Sequence, residues 1–111
     1  MRKEEYYQDL EEGKFDHTII GGEEGLNLVT FNNDAFATNV LYDDILREIA
    51  RELSEICCFY RIDYAQAPTL TQDLGIKKIP IILFYQGGKC VDHLKGIYPK
   101  SYIIDHIYAL I

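Results

Sequence analysis

A run of apolar residues from Ile79 to Tyr85 limits most strongly what this chain can fold into. The run is seven residues long and contains Pro80, whereas a helix that spans a bilayer needs roughly 20 apolar residues. Gln86-Gly87-Gly88-Lys89 follows the run, and a second apolar stretch extends from Cys90 to Leu94. Two apolar stretches joined by a short Gly-Gly turn predict an antiparallel β-hairpin. We expect no membrane span and no membrane partner.

The segments around this hairpin alternate between strand-like and helix-like patterns. Residues 26–31 and 56–62 are rich in branched and aromatic side chains, which is typical of buried strands. The expected helices are one built on Leu41, Ile45, Ile49 and Leu53, a short one at residues 66–74, and a final one opened by Pro99. Because helices that cross between strands make those strands parallel, this order predicts an α/β fold with a mixed sheet and helices on both faces.

Two other regions carry weaker patterns. Residues 2–12 are highly charged, with Tyr6, Tyr7 and Leu10 at helical spacing, and are predicted to form a helix. Residues 15–20 fit a strand or a second short helix equally well. On the long helix, Asp43 and Asp44 are adjacent, so we expect them to diverge on the solvent face and not to form a paired acid–base site.

The charge balance is acidic and is concentrated at one end of the chain. Lys and Arg number 11 against 18 Asp and Glu, for a formal net charge of −7, and residues 1–34 hold three basic and nine acidic side chains. Because nucleic-acid backbones are bound largely by Lys and Arg, we expect no nucleic-acid partner. The acids are interpreted mainly as solubilising, with a basic partner as the alternative. The first residues do not lead into an apolar signal segment, which favours a cytoplasmic location.

Several motifs resemble the thioredoxin family over residues 26–111. Gly75-Ile-Lys-Lys-Ile-Pro80 and the hairpin after it resemble the segment around the family's cis-proline, and Leu28-Val-Thr-Phe31 resembles the strand before its active site. Gly96 stands where the family keeps a glycine before its last helix. The resemblance implies one domain over residues 1–111, a thioredoxin-like three-layer sandwich with a central mixed sheet of four or five strands. Residues 1–25 form a divergent segment, and the presence of the family's first strand is left open.

The chain departs from the family at the active site. Thioredoxins carry Trp-Cys-Gly-Pro-Cys between the strand and the long helix, and here the same positions read Ala35-Phe-Ala-Thr-Asn39. Thiol–disulfide exchange requires a thiolate nucleophile and a second thiol that resolves the mixed disulfide, and Phe36 and Asn39 supply neither. Thr30 also stands where the family usually has a buried acid. We therefore expect a redox-inactive protein and not a thioredoxin-type enzyme.

The three cysteines do not replace the missing pair. Cys57, Cys58 and Cys90 include no Cys-x-x-Cys motif and no zinc-ligand spacing. Cys57 and Cys58 are neighbours on a predicted strand and are interpreted as buried structural thiols. Cys90 lies beside a turn on an edge strand, so it is the cysteine that we expect to be exposed and the candidate reactive thiol. The three histidines show no ligand spacing, and we expect neither a metal nor a cofactor.

The resemblance also implies a binding site that needs no sulfur. In thioredoxins, the residue before the cis-proline presents its backbone to an extended peptide, and Ile79 holds that position here. The predicted peptide-binding groove is lined by Phe36, Asn39, Ile79, Pro80, Gly96 and Ile97. Pairing of backbone with an added strand requires no cysteine. The alternative is that Pro80 only starts a strand.

Three functions remain open from the sequence. The first is a non-catalytic module that binds a protein or extended peptide, as an adaptor or dedicated chaperone. The cysteine-free thioredoxin-like accessory proteins of hydrogenase maturation are a loose parallel, with a stretch similar to Gly96-Ile97-Tyr98-Pro99. The second is a divergent thiol–disulfide oxidoreductase that acts in cell redox homeostasis through Cys90. The third is a structural subunit that makes its contacts through the acidic N-terminal segment.

Overall fold

The computed structural model describes residues 6–22 and 24–111. Five strands form one sheet: β1 (Tyr7–Asp9), β2 (Leu26–Asn32), β3 (Cys57–Asp63), β4 (Ile81–Gln86) and β5 (Lys89–Lys95). Their order across the sheet is β1-β3-β2-β4-β5. β3 pairs in parallel with both β1 and β2, and β4 pairs in antiparallel fashion with both β2 and β5. The predicted mixed sheet is confirmed, with five strands and with the first strand present.

Helices cover both faces of this sheet. They are α1 (Ala37–Glu52), α2 (Pro68–Leu74) and α3 (Lys100–Leu110), together with 3₁₀ turns at Glu12–Lys14 and Tyr64–Gln66 and a π-helical turn at Asp16–Ile20. α1 and α3 share one core layer with sheet residues such as Leu28. α2 and the π-helical turn share the other layer with residues such as Val29. Successive residues of β2 thus enter opposite layers, which is why the whole strand is buried.

The hairpin forms as the sequence predicts. β4 and β5 are joined at Gly87 and Gly88, whose φ angles are +58° and +77°. Two consecutive residues with positive φ are what a two-residue turn needs in order to match the right-handed twist of the strands. Glycine adopts these angles without a steric penalty.

The prediction of an N-terminal helix is wrong for the described residues. Tyr7–Asp9 is a strand instead, and Tyr7 lies opposite Phe59 in the sheet. The helical spacing of Tyr6, Tyr7 and Leu10 does not decide the structure here. Tyr7 is 4% exposed and packs into the core, and this burial, together with strand pairing, outweighs the local helix propensity. Residues 2–5 of the predicted helix lie outside the described part of the chain. The alternatives for residues 15–20 resolve to a helical conformation.

The predicted apolar face of α1 enters the core except at Leu41: Ile49 and Leu53 are buried and Ile45 packs against the core, but the buried face also extends to Tyr42 and Asp43. Leu41 is 64% exposed, whereas Asp43 is 5% exposed. The buried residues within the helix are Asn39, Tyr42, Asp43, Leu46, Ile49 and Ala50. The expectation that Asp43 lies on a solvated face is therefore wrong. Asp43 is tolerated inside because its carboxylate has several hydrogen-bond donors, as described below.

Candidate functional site

Three loops meet at one edge of the sheet. Phe31 of β2 lies opposite Ile81 of β4, and Ile81 lies opposite Lys95 of β5. The loop after β2, the segment before β4 and the segment after β5 therefore all leave from the same row. These segments contain all of the predicted groove residues except Asn39, which lies in the first turn of α1.

The middle segment of this edge is tied to the one after β5. The peptide bond between Ile79 and Pro80 is cis. The Pro80 carbonyl accepts a hydrogen bond from the Gly96 amide at 2.9 Å. Gly96 has a φ of +90°, and the chain continues to Ile97, whose side chain is 51% exposed. Pro80 is buried and Ile79 is half-buried.

The loop between β2 and α1 is held by its own asparagines. The Asn33 Oδ1 accepts from the Ala35 amide at 2.8 Å, and the Asn39 Oδ1 accepts from the Asn33 amide at 3.0 Å. Asn39 is 3% exposed, whereas Phe36 at the start of α1 is 54% exposed. Asn39 therefore supports the loop from inside, and Phe36 is the part of the loop that faces outward.

A buried carboxylate lies beneath this loop. One oxygen of Asp43, Oδ1, accepts from the Tyr7 hydroxyl and from the Asn32 Nδ2, each at 2.6 Å. The other oxygen, Oδ2, accepts from the Arg61 Nε at 2.9 Å. Burial and the Asp43 carboxylate raise the pKa of Tyr7 well above its usual value of 10.0. Tyr7 therefore remains a neutral donor at physiological pH.

Arg61 extends this network to the surface. Its Nη2 lies 2.6 Å from the Asp34 Oδ1 and its Nη1 lies 3.6 Å from the Asp9 Oδ1. Burial by itself lowers the pKa of Arg61, but Asp43 and Asp34 raise it more, and the pKa is raised overall. One guanidinium thus contacts three carboxylates, and we call Tyr7, Asn32, Asp34, Asp43 and Arg61 the carboxylate cluster. It joins β1, β2, β3 and α1 directly below the loop.

Comparison with known proteins identifies the fold family. A family model described as Thioredoxin matches residues 7–109. The chain belongs to the thioredoxin family. It is 30% identical to the chloroplastic M-type thioredoxin of Spinacia oleracea over 63 residues. These 63 residues are 57% of this chain and 35% of the relative.

Two further relatives are also thioredoxins. The chloroplastic M-type thioredoxin of Pisum sativum is 25% identical over 100 residues, which is 90% of this chain and 58% of the relative. The thioredoxin of Mycoplasmoides gallisepticum is 32% identical over 57 residues, which is 51% of this chain and 56% of the relative. The chain thus spans less than three fifths of the length of each of these relatives.

The cysteines of this thioredoxin-family chain, all within its described part, form no disulfide, and Cys90 lies far from the adjacent Cys57 and Cys58. Cys57 is buried, but Cys58 and Cys90 are exposed, so the expectation that both neighbouring cysteines are buried is wrong for Cys58. Successive residues of a strand point to opposite faces, and only the face toward α1 and α3 buries a sulfur here. The strand order separates β3 from β5 by three strand spacings, about 14 Å.

Neither Cys57 nor Cys90 has the low pKa of an activated thiol. Burial raises the pKa of Cys57 from 9.0 to about 12. Cys90 is exposed as a residue, but partial burial of its sulfur still raises its pKa, against the effect of backbone hydrogen bonds that lower it. A raised pKa reduces the thiolate fraction, and the thiolate is the nucleophile in disulfide exchange.

The described residues provide neither a metal-binding cluster nor a membrane-spanning helix. No group of three or more His, Cys, Asp and Glu side chains in this part of the chain is placed so that it could hold a metal ion. Within the same residues, no helix has the length and apolar character that crossing a membrane requires.

The carboxylate cluster is the part of this region that the sequence did not reveal. The pattern of apolar residues places Asp43 on the solvated face of α1, and for Arg61 it predicts only a place in a strand. One signal was available: Asn39, Asp43, Leu46 and Ala50 also recur at helical spacing. Spacing alone does not show which of two stripes is buried when one of them contains polar residues.

Proposed function

We propose that this thioredoxin-family chain is a non-catalytic module that binds an extended polypeptide. The proposed contact area is the edge surface formed by Phe36, Ile79, Pro80, Gly96 and Ile97. The observation that carries the proposal is the pair of exposed apolar side chains, Phe36 and Ile97, on the loops that flank Ile79 and Pro80. Phe36 stands at the first of the two positions where the family's motif has cysteine.

The backbone of Ile79 supports this proposal. In the described part of the chain, neither its amide nor its carbonyl has a hydrogen-bond partner. A peptide in extended conformation would supply such partners, as in other cases of strand addition. Phe36 and Ile97 would then cover its side chains, because removal of apolar surface from water is favourable at about 25 cal/mol per Å².

A thiol–disulfide oxidoreductase that acts through Cys90 is the competing function. The exposure of Cys90 favours it, and the raised pKa of this thiol counts against it. The test is reduction of a small disulfide substrate in the presence of dithiothreitol. We expect no rate above the dithiothreitol background, and a rate that disappears in Cys90→Ser would overturn the binding proposal.

The binding proposal is tested with peptides selected on the purified chain from a random library. We expect Phe36→Asp and Ile97→Asp each to weaken binding of a selected peptide at least about tenfold, as anchors at the centre of an interface do. Tyr108→Asp is the matched control, because Tyr108 is 52% exposed near the far end of α3. It should leave the dissociation constant within about twofold.

A second control removes sulfur from the exposed surface. The double variant Cys58→Ser and Cys90→Ser should bind the selected peptide as tightly as the natural chain. If the selected peptides bind Phe36→Asp and Ile97→Asp as tightly as the natural chain, the edge surface is not the binding site. The same conclusion follows if no peptide is enriched on the natural chain over Phe36→Asp.

A further inference from the structure

A second concave surface lies on the β4–β5 hairpin, beside the end of α2. This groove has a volume of about 620 Å³, within the range of roughly 300–1,000 Å³ that is typical of small-molecule sites. Its floor is formed by Ile81, Leu83 and Tyr85, alternate residues of β4 that share one face of the sheet. We call it the hairpin groove.

The rim of the hairpin groove is basic although the chain is acidic. Lys77, Lys78 and Lys95, three of the chain's seven lysines, line it together with His93, and no carboxylate does. Within the described residues, none of these three lysines has an ion-pair partner. Lys100, by contrast, pairs with two glutamates. The groove therefore attracts an anion on a chain whose net charge is −7.

The charge is concentrated at one end of the groove. Lys95 lies opposite Ile81, and Lys77 and Lys78 precede the same end of β4. At the other end, Tyr85 lies opposite Cys90, and neither side chain is charged at neutral pH. Four residues of strand separate the two ends, which is about 13 Å. The groove thus has a cationic end, and the rest of its floor is apolar, with His93 on the rim opposite Leu83.

We propose that the hairpin groove binds a monomeric anionic amphiphile, a hydrocarbon chain that ends in one carboxylate. The lysines would contact the carboxylate, and the chain would lie on Ile81, Leu83 and Tyr85. β4 already pairs with β2 and β5, so the floor offers no backbone partner. A peptide laid on this floor would leave its own amides unpaired, which is costly, whereas a hydrocarbon has no such groups. This proposal does not depend on the polypeptide-binding proposal.

Decanoate below its micelle concentration is the probe, used with the full chain. We expect saturable binding at a single site, followed by amide chemical shifts in an NMR titration. The largest changes should fall in residues 74–78 and in β4 and β5. Decanol and acetate, which lack the charge and the chain respectively, should each bind at least about tenfold more weakly, because both parts of the ligand are used.

Surface variants test the cationic end without disturbing the core. The triple variant Lys77→Glu, Lys78→Glu and Lys95→Glu should raise the dissociation constant for decanoate at least about tenfold. The matched control makes the same charge change at exposed residues outside the groove: Lys14→Glu, Arg51→Glu and Lys89→Glu. It should leave the dissociation constant within about twofold.

Cys90 gives a second readout in the same chain. Decanoate should slow alkylation of Cys90, which lines the groove, and leave exposed Cys58 unaffected. The proposal is overturned if decanoate does not saturate, if its shifts map elsewhere, or if both triple variants bind it equally. It is also overturned if anionic vesicles or a Glu-rich peptide shift these amides while monomeric decanoate does not. A shift with vesicles would assign the groove to a membrane surface, and a shift with the Glu-rich peptide would assign it to a protein.

Discussion

Asp43 and Arg61 form an ion pair beneath the loop between β2 and α1, with the Arg61 Nε 2.9 Å from the Asp43 Oδ2. The Asp43 side chain is 8% exposed and that of Arg61 is 12% exposed. A buried ion pair is tolerated only when the other oxygen of the carboxylate and the other N–H groups of the guanidinium also have hydrogen-bond partners. Tyr7 and Asn32 satisfy the second oxygen of Asp43. The carboxylate cluster therefore holds β1, β2, β3 and α1 together at the edge where the proposed peptide site lies.

Replacement of Asp43 should strongly destabilise the fold. Asp43→Ala would leave the Arg61 guanidinium, the Tyr7 hydroxyl and the Asn32 amide without their buried acceptor. Removal of one partner of a buried ion pair costs about 3–5 kcal/mol, so we expect a loss of this size in the free energy of unfolding. Urea denaturation followed by circular dichroism measures it.

Asp44→Ala is the matched control for this prediction. Asp44 is the next residue along α1, its side chain is 70% exposed, and among the described residues its ion-pair partner is Arg47, at 3.1 Å. An exposed pair of this kind contributes about 0.5 kcal/mol or less. Equal losses in the two variants would contradict the assignment of Asp43 to the core.

Gly88 should be far less tolerant of substitution than Gly87. A Cβ atom at Gly88 would overlap the backbone carbonyl oxygen of Ile20, whereas a Cβ at Gly87 would meet no atom within 4 Å. Gly88→Ala should therefore lower the free energy of unfolding by about 2 kcal/mol or more, and Gly87→Asn by less than about 1 kcal/mol. Thermal and urea denaturation of the two variants compare them. A similar loss in both would mean that the hairpin does not pack against Ile20.

Thiol reactivity should follow burial and pKa. Cys57, with a pKa near 12, should not react with iodoacetamide in the native chain at pH values below 10. The raised pKa of Cys90 means less thiolate at a given pH, so this exposed residue should react more slowly than free cysteine and faster as the pH rises. Mass spectrometry of digested samples measures each site. Rapid modification of Cys90 at neutral pH would contradict the pKa shift and would favour the oxidoreductase.

Stability should fall in the alkaline range, where two buried tyrosines add to the effect of the buried Cys57 thiol, whose pKa is raised from 9.0 to about 12. Burial raises the pKa of Tyr42 and of Tyr85 from 10.0 to about 12. The fold therefore favours the neutral phenols. This contribution is fully present below pH 10 and is lost as the pH rises from 10 to 12. The urea midpoint of unfolding should decline across this window. The decline should be smaller for the variant Tyr42→Phe than for Tyr108→Phe, because Tyr108 is 52% exposed and removal of its hydroxyl leaves the buried phenols in place.

Local patterns determined much of this fold. The Gly-Gly turn predicted the hairpin because few other residues adopt positive φ twice in succession. The largely apolar runs predicted β2 and β4, which are covered on both faces, and the branched and aromatic residues predicted β3. The absence of a Cys-x-x-Cys motif was also readable directly, since it requires only the sequence.

The tertiary structure alone decided which polar residues are buried and what lies beside them. Tyr7 lies in a strand because it pairs with β3. Asp43 lies in the core because Tyr7, Asn32 and Arg61, all on strands, donate the hydrogen bonds that offset the cost of burying its carboxylate. The hairpin groove likewise depends on α2 ending beside β4. A sequence records the periodicity of each element, but the partner of a buried charge comes from residues distant in the chain, and only the packed fold brings them within hydrogen-bonding distance.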